Sequence, residues 1–148
     1  AASDVYKRQI QKGVHEIMIF ESRELPVFTL YDVDYPVCCD LIVLEKIQDK
    51  VGDILVAEDK IRGYVPSVDA DGVVDRTIGT FTVPDVDIVC SALNWMLEEG
   101  KYLTDGEYEI PSTDDLKRQD EYGITELALV VLRVLRTVRI HWKKVQNL

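Results

Sequence analysis

The sequence predicts an α+β fold that is mostly α-helical, with a small N-terminal β-hairpin packed on three or four helices. The hairpin is predicted because Val27–Tyr31 and Tyr35–Cys39 are rich in β-prone residues and flank the polar link Asp32-Val33-Asp34. The helices are predicted because apolar residues recur at helical spacing through most of the remaining chain. A chain of 148 residues is long enough for one domain with a modest core.

The hairpin link contains no glycine, so its turn type stays open. Pro36 has no amide proton to donate, which places its strand at an edge or beside a bulge. Ile17–Phe20 could add a further strand.

Two helices are predicted after the hairpin. Asp40 begins the first, because a carboxylate accepts amide protons at a helix N-terminus, and Gly52 ends it. A shorter helix covers Ile54–Arg62. The face at helical spacing in the first helix consists of Leu41, Leu44, Ile47, Gln48 and Val51.

The segment Gly63–Gly79 is predicted to be a loop, since it contains proline, glycine and several aspartates. Thr80–Val83 is interpreted as a brief strand or an extended lead-in to the next helix. That helix opens at Pro84-Asp85, runs to Glu99 and ends at Gly100. Its buried stripe consists of Ile88, Val89, Ala92, Leu93, Met96 and Leu97.

Two further helices are predicted in the last third of the chain. Ser112 and Asp115 have the spacing of a capping box and predict a polar helix over Thr113–Tyr122, broken or kinked at Gly123. Ile124–Val145 is the longest helix. Its broad apolar face consists of Leu127, Val130, Val131, Val134, Leu135 and Val138.

Residues 1–17 are interpreted as a non-native leader. Ala1–Gln9 resemble translated sequencing adapter of the kind that becomes fused to reading frames in metagenomic assemblies, and Met18 is the natural start. Residues 18–148 then form a single domain whose helical end, 133–148, is basic.

The charge is strongly asymmetric. The chain carries a net charge of −10, but the tail from Arg133 carries +5, which leaves −15 on the rest. Phosphate is repelled by such an acidic body, which argues against nucleic acid as a partner of the whole domain. No apolar run approaches the roughly 20 residues that span a bilayer, so no membrane association is predicted.

The three cysteines predict no disulfide framework, because their number is odd and Cys38 and Cys39 are adjacent. A reducing cytoplasm is the predicted location. One of the adjacent pair points inward as a small apolar side chain, and Cys90 lies within the apolar third helix.

No metal ion, cofactor or catalytic site is predicted. Ser67–Asp75 places oxygen ligands at alternate positions like a calcium loop, but Ile78 stands where the bidentate glutamate belongs, so we interpret it as an acidic turn. Asp85 and Asp87 are interpreted as helix caps. Nucleophile-elbow, P-loop and dinucleotide motifs do not occur in the sequence.

The candidate partner-binding site is a basic stripe near the C-terminus. Its members are about one helical turn apart: Arg133, Arg136, Arg139 and Lys143, with Trp142 nearby. It could bind phosphates, anionic lipid or an acidic protein surface. The alternative is a solvated helix face. We favour an intra- or intermolecular protein contact, because the rest of the chain is acidic.

Three segments resemble the small tail assembly chaperones of tailed phages and prophages over about residues 25–135. The segments are FTLYDVDYPVCCDLIVLEKIQDKVGDI from Phe28, TFTVPDVDIVCSALNWMLEEG from Thr80, and DEYGITELALVVLRVL from Asp120. The turn without glycine and the length of the Gly63–Gly79 segment depart from that pattern.

The resemblance implies a non-catalytic protein of the bacterial host cytoplasm that binds the tape measure protein and assists assembly of the tail tube. It implies contacts with tail assembly components, and leaves homo-oligomerisation open. Two alternatives remain: a small DNA-associated regulator that uses the basic C-terminal helix, and a virion structural connector or tail terminator.

Overall fold

The computed structural model describes residues 25–146, with side chains to Val138 and only the backbone of the last helix beyond it. Within this range the protein has the predicted α+β, mostly helical fold. The elements, in chain order, are β1 (Val27–Leu30), β2 (Val33–Pro36), α1 (Leu41–Val51), α2 (Ile54–Arg62), β3 (Tyr64–Val68), β4 (Val74–Phe81), α3 (Val86–Leu103), α4 (Thr113–Arg118) and α5 (Ile124–Gln146). Residues 1–24, including the proposed leader and the possible strand Ile17–Phe20, lie outside this range.

Strands β1 and β2 form an antiparallel hairpin, here named the inner hairpin (27–36), as predicted. The predicted link is wrong. Leu30 pairs with Val33, so the turn consists of Tyr31 and Asp32, and Val33 begins the second strand. Both turn residues have positive φ, 48° and 64°, as in the type I′ turns that match the twist of paired strands.

The inner hairpin is fixed by the chain that precedes α5. Glu121 Oε2 accepts the amide proton of Tyr31 at 2.6 Å, and Asp120 Oδ1 accepts its hydroxyl proton at 2.6 Å. The Tyr122 hydroxyl donates to the Thr29 carbonyl at 2.6 Å. The left-handed conformation costs free energy for residues other than glycine. Because this turn contains no glycine, these bonds help to hold it in that conformation.

Helices α1 and α2 begin and end where the sequence predicts. The Asp40 carboxylate accepts the amides of Ile42 and Val43, and Gly52 is the C-cap of α1. Helix α2 covers the predicted range and is capped by Asp53. The predicted face of α1 is partly wrong: Leu41 is 73% exposed, and Val43 is buried with Ile47 instead.

The prediction of a loop over Gly63–Gly79 is wrong. Strands β3 and β4 form a second antiparallel hairpin, here named the arm (64–81), with a register shift after Pro66. Its turn is held by Asp69, whose carboxylate accepts the amides of Asp71 and Val73 at 2.9 Å each. Thr80 and Phe81, predicted as a brief strand or lead-in, are the end of β4.

Helix α3 is longer than predicted. It begins after the Asp85 cap, as expected, but continues through Gly100 to Leu103. Gly100 is not a stop. A Cβ at this position would lie 2.0 Å from the Pro36 carbonyl oxygen, so the glycine permits the helix to approach the inner hairpin. The Cys38 amide completes this junction by donating to the Met96 carbonyl at 3.1 Å.

The capping box of α4 is confirmed, since Ser112 and Asp115 each accept the other's amide proton at 3.0 Å. The helix ends at Arg118 and not at Tyr122. The Gln119 side chain explains the early end, because its Oε1 accepts the amides of Glu121 and Tyr122 and stabilises a turn. Helix α5 begins at Ile124, as predicted, and ends one residue beyond the predicted end.

One core cluster joins the inner hairpin to the helices. The predicted stripe of α3 is entirely buried, and in α5 Leu127, Val131, Val134 and Leu135 are buried while Val130 and Val138 pack at its margin. The largest fully buried side chains include Phe28, Ile47, Ile61, Leu93, Met96, Leu97, Leu116, Leu127 and Leu135. No core residue comes from the arm.

Candidate protein-binding groove on the last helix

Helix α5 presents two different faces over its described side chains. One face carries the buried residues that pack against α2 and α3. On the other face Leu129 is 61% exposed. Among the residues that the structure describes, the helix therefore holds apolar surface that the core does not use.

The exposed apolar surface forms one wall of a groove with a cavity volume of about 560 Å³. Most of its lining surface is apolar, and its described lining comes from this one helix: Leu129, Val130, Leu132, Arg133, Arg136 and Thr137.

Two guanidinium groups border the groove. Arg133 and Arg136 are both exposed, and neither forms an ion pair with a carboxylate among the residues of known position. An apolar wall beside the two arginines suits a partner segment that alternates apolar and acidic side chains. Arginine also binds carboxylates through two parallel hydrogen bonds.

The structure thus brings together two of the predicted stripe residues, Arg133 and Arg136. The side chains of Arg139, Trp142 and Lys143 lie outside the described residues, although the helix backbone continues through them. Docking of the stripe onto the chain's own acidic body was one predicted outcome. Within the described part of the chain, the two arginines instead remain exposed.

The cysteines are placed as predicted. Cys39 is buried and Cys38 is half-buried. Burial raises the pKa of the Cys39 thiol to about 12, and burial also raises the pKa of Cys90. Because the thiolate is the nucleophilic form, neither buried thiol is activated at neutral pH.

The two aspartates at the start of α3 have separate roles. Asp85 accepts the Ile88 amide at 3.1 Å, so it is a cap. Asp87 forms ion pairs with Lys50 at 2.8 Å and Lys117 at 3.3 Å, which lower the pKa of its carboxyl. It therefore connects α1, α3 and α4 through charge.

In the proposed acidic turn, one carboxylate oxygen of Asp69 and one of Asp75 accept hydrogen bonds from residues close by in the chain. Asp75 accepts both the amide and the hydroxyl of Thr77, at 2.9 and 2.6 Å. Across residues 25–138, no group of three or more histidine, cysteine, aspartate or glutamate side chains is arranged to hold a metal ion.

Two features of the molecular surface were missed from the sequence. Leu129 lies between core positions of α5, and its exposure depends on which neighbouring elements cover the helix. The arm could have been found, because Asp71-Gly72 between two β-branched runs is a hairpin signal.

Among the helices in the described range, none combines the length and hydropathy that a bilayer crossing requires. No protein-family model, curated protein or solved structure matches this chain.

Proposed function

We propose that the protein is a non-catalytic phage tail assembly chaperone, which binds a segment of the tape measure protein in the α5 groove. The observation that carries the proposal is the exposed apolar wall at Leu129 beside two cations that lack an ion pair in the described chain. A chaperone must hold aggregation-prone segments reversibly, and an apolar groove with charged borders does so without a reaction.

The charge distribution supports the same role. The net charge of −10 would keep a complex with an apolar client soluble, whereas the basic border would select client segments that carry acidic residues. Arg133 and Arg136 would then contact client carboxylates, while Leu129 and Val130 would contact apolar client side chains.

The three segments that carry the family resemblance also pack against one another. The rings of Phe28 and Tyr122 lie 5.5 Å apart, and Gly100 contacts Pro36. If the resemblance reflects common descent, these segments form the scaffold that holds the start of α5, and the groove follows directly from it.

The first test is the nucleotide sequence around the gene. The proposal expects a slippery heptamer near the 3′ end and a very long, helix-rich reading frame downstream. The second test is co-expression with that long product. We expect the client to be soluble with the wild-type protein and insoluble without it.

The groove is tested by Arg133→Glu/Arg136→Glu, with Lys60→Glu/Arg118→Glu as a control that makes the same change of charge at exposed positions outside the groove. Placing like charges against an acidic client should weaken binding at least tenfold, an effect on the order of 1.4 kcal/mol or more. Equal client solubility with both variants would contradict the proposal. Salt-dependent DNA binding that only the groove variant loses would favour the DNA-associated regulator instead.

A further inference from the structure

The arm exposes an unusual amount of apolar surface. Every residue of β4 is exposed, with Ile78 at 63% and Phe81 at 74%. A two-stranded hairpin that buries so little is marginally stable alone, and apolar patches on soluble proteins commonly mark interaction sites. The exposed apolar residues of the arm are Val65, Val68, Val73, Val74, Ile78 and Phe81.

The arm is also acidic. It carries Asp69, Asp71 and Asp75, and its one cation, Arg76, is paired with the buried Asp59 of α2 at 3.1 Å. Hydrogen bonds from the hydroxyl and amide of Thr77 lower the pKa of Asp75, so this carboxyl is charged at neutral pH. The arm therefore offers apolar side chains and carboxylates to a partner.

The root of the arm is fixed to the body. The Thr82 amide donates to the Gly63 carbonyl at 2.6 Å, and a Cβ on Gly63 would lie 2.2 Å from the Thr82 carbonyl oxygen. The Asp59–Arg76 ion pair ties β4 to α2. These two contacts hold the arm against α2, and the described lining of the α5 groove of the same chain contains no arm residue.

We propose that the arm of one copy docks in the α5 groove of a second copy. The apolar side chains of the arm meet the wall formed by Leu129 and Val130, and its carboxylates meet Arg133 and Arg136. This contact is heterologous, since it joins two different surfaces, so it builds a closed ring or an open chain of copies. The inference rests on the proposed function in one respect: the client and the arm compete for the same groove.

The test is sedimentation velocity and light scattering on the full chain across a wide range of concentration. We expect wild-type protein to self-associate. Val74→Arg/Ile78→Arg in the arm and Arg133→Glu/Arg136→Glu in the groove should each weaken association at least tenfold. Val27→Arg/Val33→Arg, at inner-hairpin positions of comparable exposure, and Lys60→Glu/Arg118→Glu should associate like wild type.

Mixing distinguishes this contact from other interfaces. An arm variant keeps its groove, and a groove variant keeps its arm. In an equimolar mixture, the intact arm of one variant can therefore dock in the intact groove of the other. We expect heterodimers that do not associate further. Higher oligomers in the mixture, or no association at all, would overturn the proposal. So would a wild-type monomer at high micromolar concentration, or an arm variant that associates like wild type.

The same variants separate this inference from the proposed function. Client solubility on co-expression should survive in the arm variant, because its groove is intact. If copies associate through arm and groove but no client binds, the proposed function fails and this inference stands. If the client binds and the copies stay monomeric, the reverse holds.

Discussion

The two hairpins of this protein have the same secondary structure but opposite surroundings. The inner hairpin buries Phe28 and Leu30 against the helices, and its turn is held by residues some 90 positions away in the chain. The arm contributes nothing to the core, and its turn is held by Asp69 within the turn itself.

The difference lies in what supplies the turn geometry. The arm places Gly72 at a φ of 82°, which glycine adopts at little cost, so local chemistry is sufficient. The inner hairpin places Tyr31 and Asp32 in left-handed conformations, and the bonds of Tyr31 to Asp120 and Glu121 compensate for that cost. In this protein, the hairpin whose turn lacks glycine is stabilised by contacts with a distant part of the chain. The hairpin whose turn contains glycine extends into solvent without such contacts at its turn in the described part of the chain.

The largest difference in stability between the two hairpins should come from truncating one phenylalanine in each. Phe28→Ala should lower the free energy of unfolding by about 3–5 kcal/mol, because the ring is 2% exposed in the core. Phe81→Ala should cost about 1.5 kcal/mol or less, since that ring is 74% exposed and loses chiefly its contact with Tyr64. Urea denaturation measures both. Similar losses would mean that the arm is buried in solution.

Gly100→Ala should cause the next largest loss in the free energy of unfolding. The new methyl group meets the Pro36 carbonyl, and we expect a loss of about 1–3 kcal/mol, although alanine is the better helix former. Gly123→Ala is the control, because its Cβ would meet nothing nearer than 3.8 Å, and it should cost about 1 kcal/mol or less. A stabilised Gly100→Ala variant would disprove the close junction between α3 and the inner hairpin.

Asp59→Asn should have a local effect. Loss of the charge at the root of the arm weakens the bonds to Arg62 and Arg76, at a cost of about 1–3 kcal/mol. Amide hydrogen exchange should rise over residues 64–81 and stay unchanged in the inner hairpin. Asp71→Asn, an exposed carboxylate at the tip of the same arm, should change neither region.

The smallest effect at neutral pH concerns the thiol that follows the inner hairpin. The pKa of Cys39 is raised in the folded state to about 12, above the usual value of about 8.5 for an exposed thiol. The stability linked to this group is therefore fully present below about pH 8.5, and it is lost as the pH rises toward 12. At pH 8, iodoacetamide should modify Cys38 well before Cys39. Equal rates would contradict the burial of Cys39.

Features with a local cause were predictable from the sequence. The caps at Asp40 and Asp85, the capping box at Ser112 and the bounds of α2 follow from side chains within a few residues of each helix end. Gly100 was misinterpreted because the same residue that can end a helix can also permit a close approach, and only the position of Pro36 decides between them.

The candidate site was predictable in its charges but not in its shape. Helical spacing places Arg133 and Arg136 on one face, and the structure agrees. Spacing cannot tell whether Leu129 is covered, because that depends on which elements pack against α5. The arm is hard to predict for a different reason: its proline and aspartates are typical of loops, whereas the β-branched residues around Asp71-Gly72 are typical of a hairpin.

The strained turn of the inner hairpin also bears on the order of folding. Tyr31 gains its stabilising bonds only when Asp120 and Glu121 are in place, so this turn depends on contacts between distant parts of the chain. Long-range contacts slow folding, because the chain must close a large loop before they form. We therefore expect the inner hairpin to gain its full stability during synthesis only after the start of α5 has left the ribosome. The arm, complete by Phe81, can form much earlier.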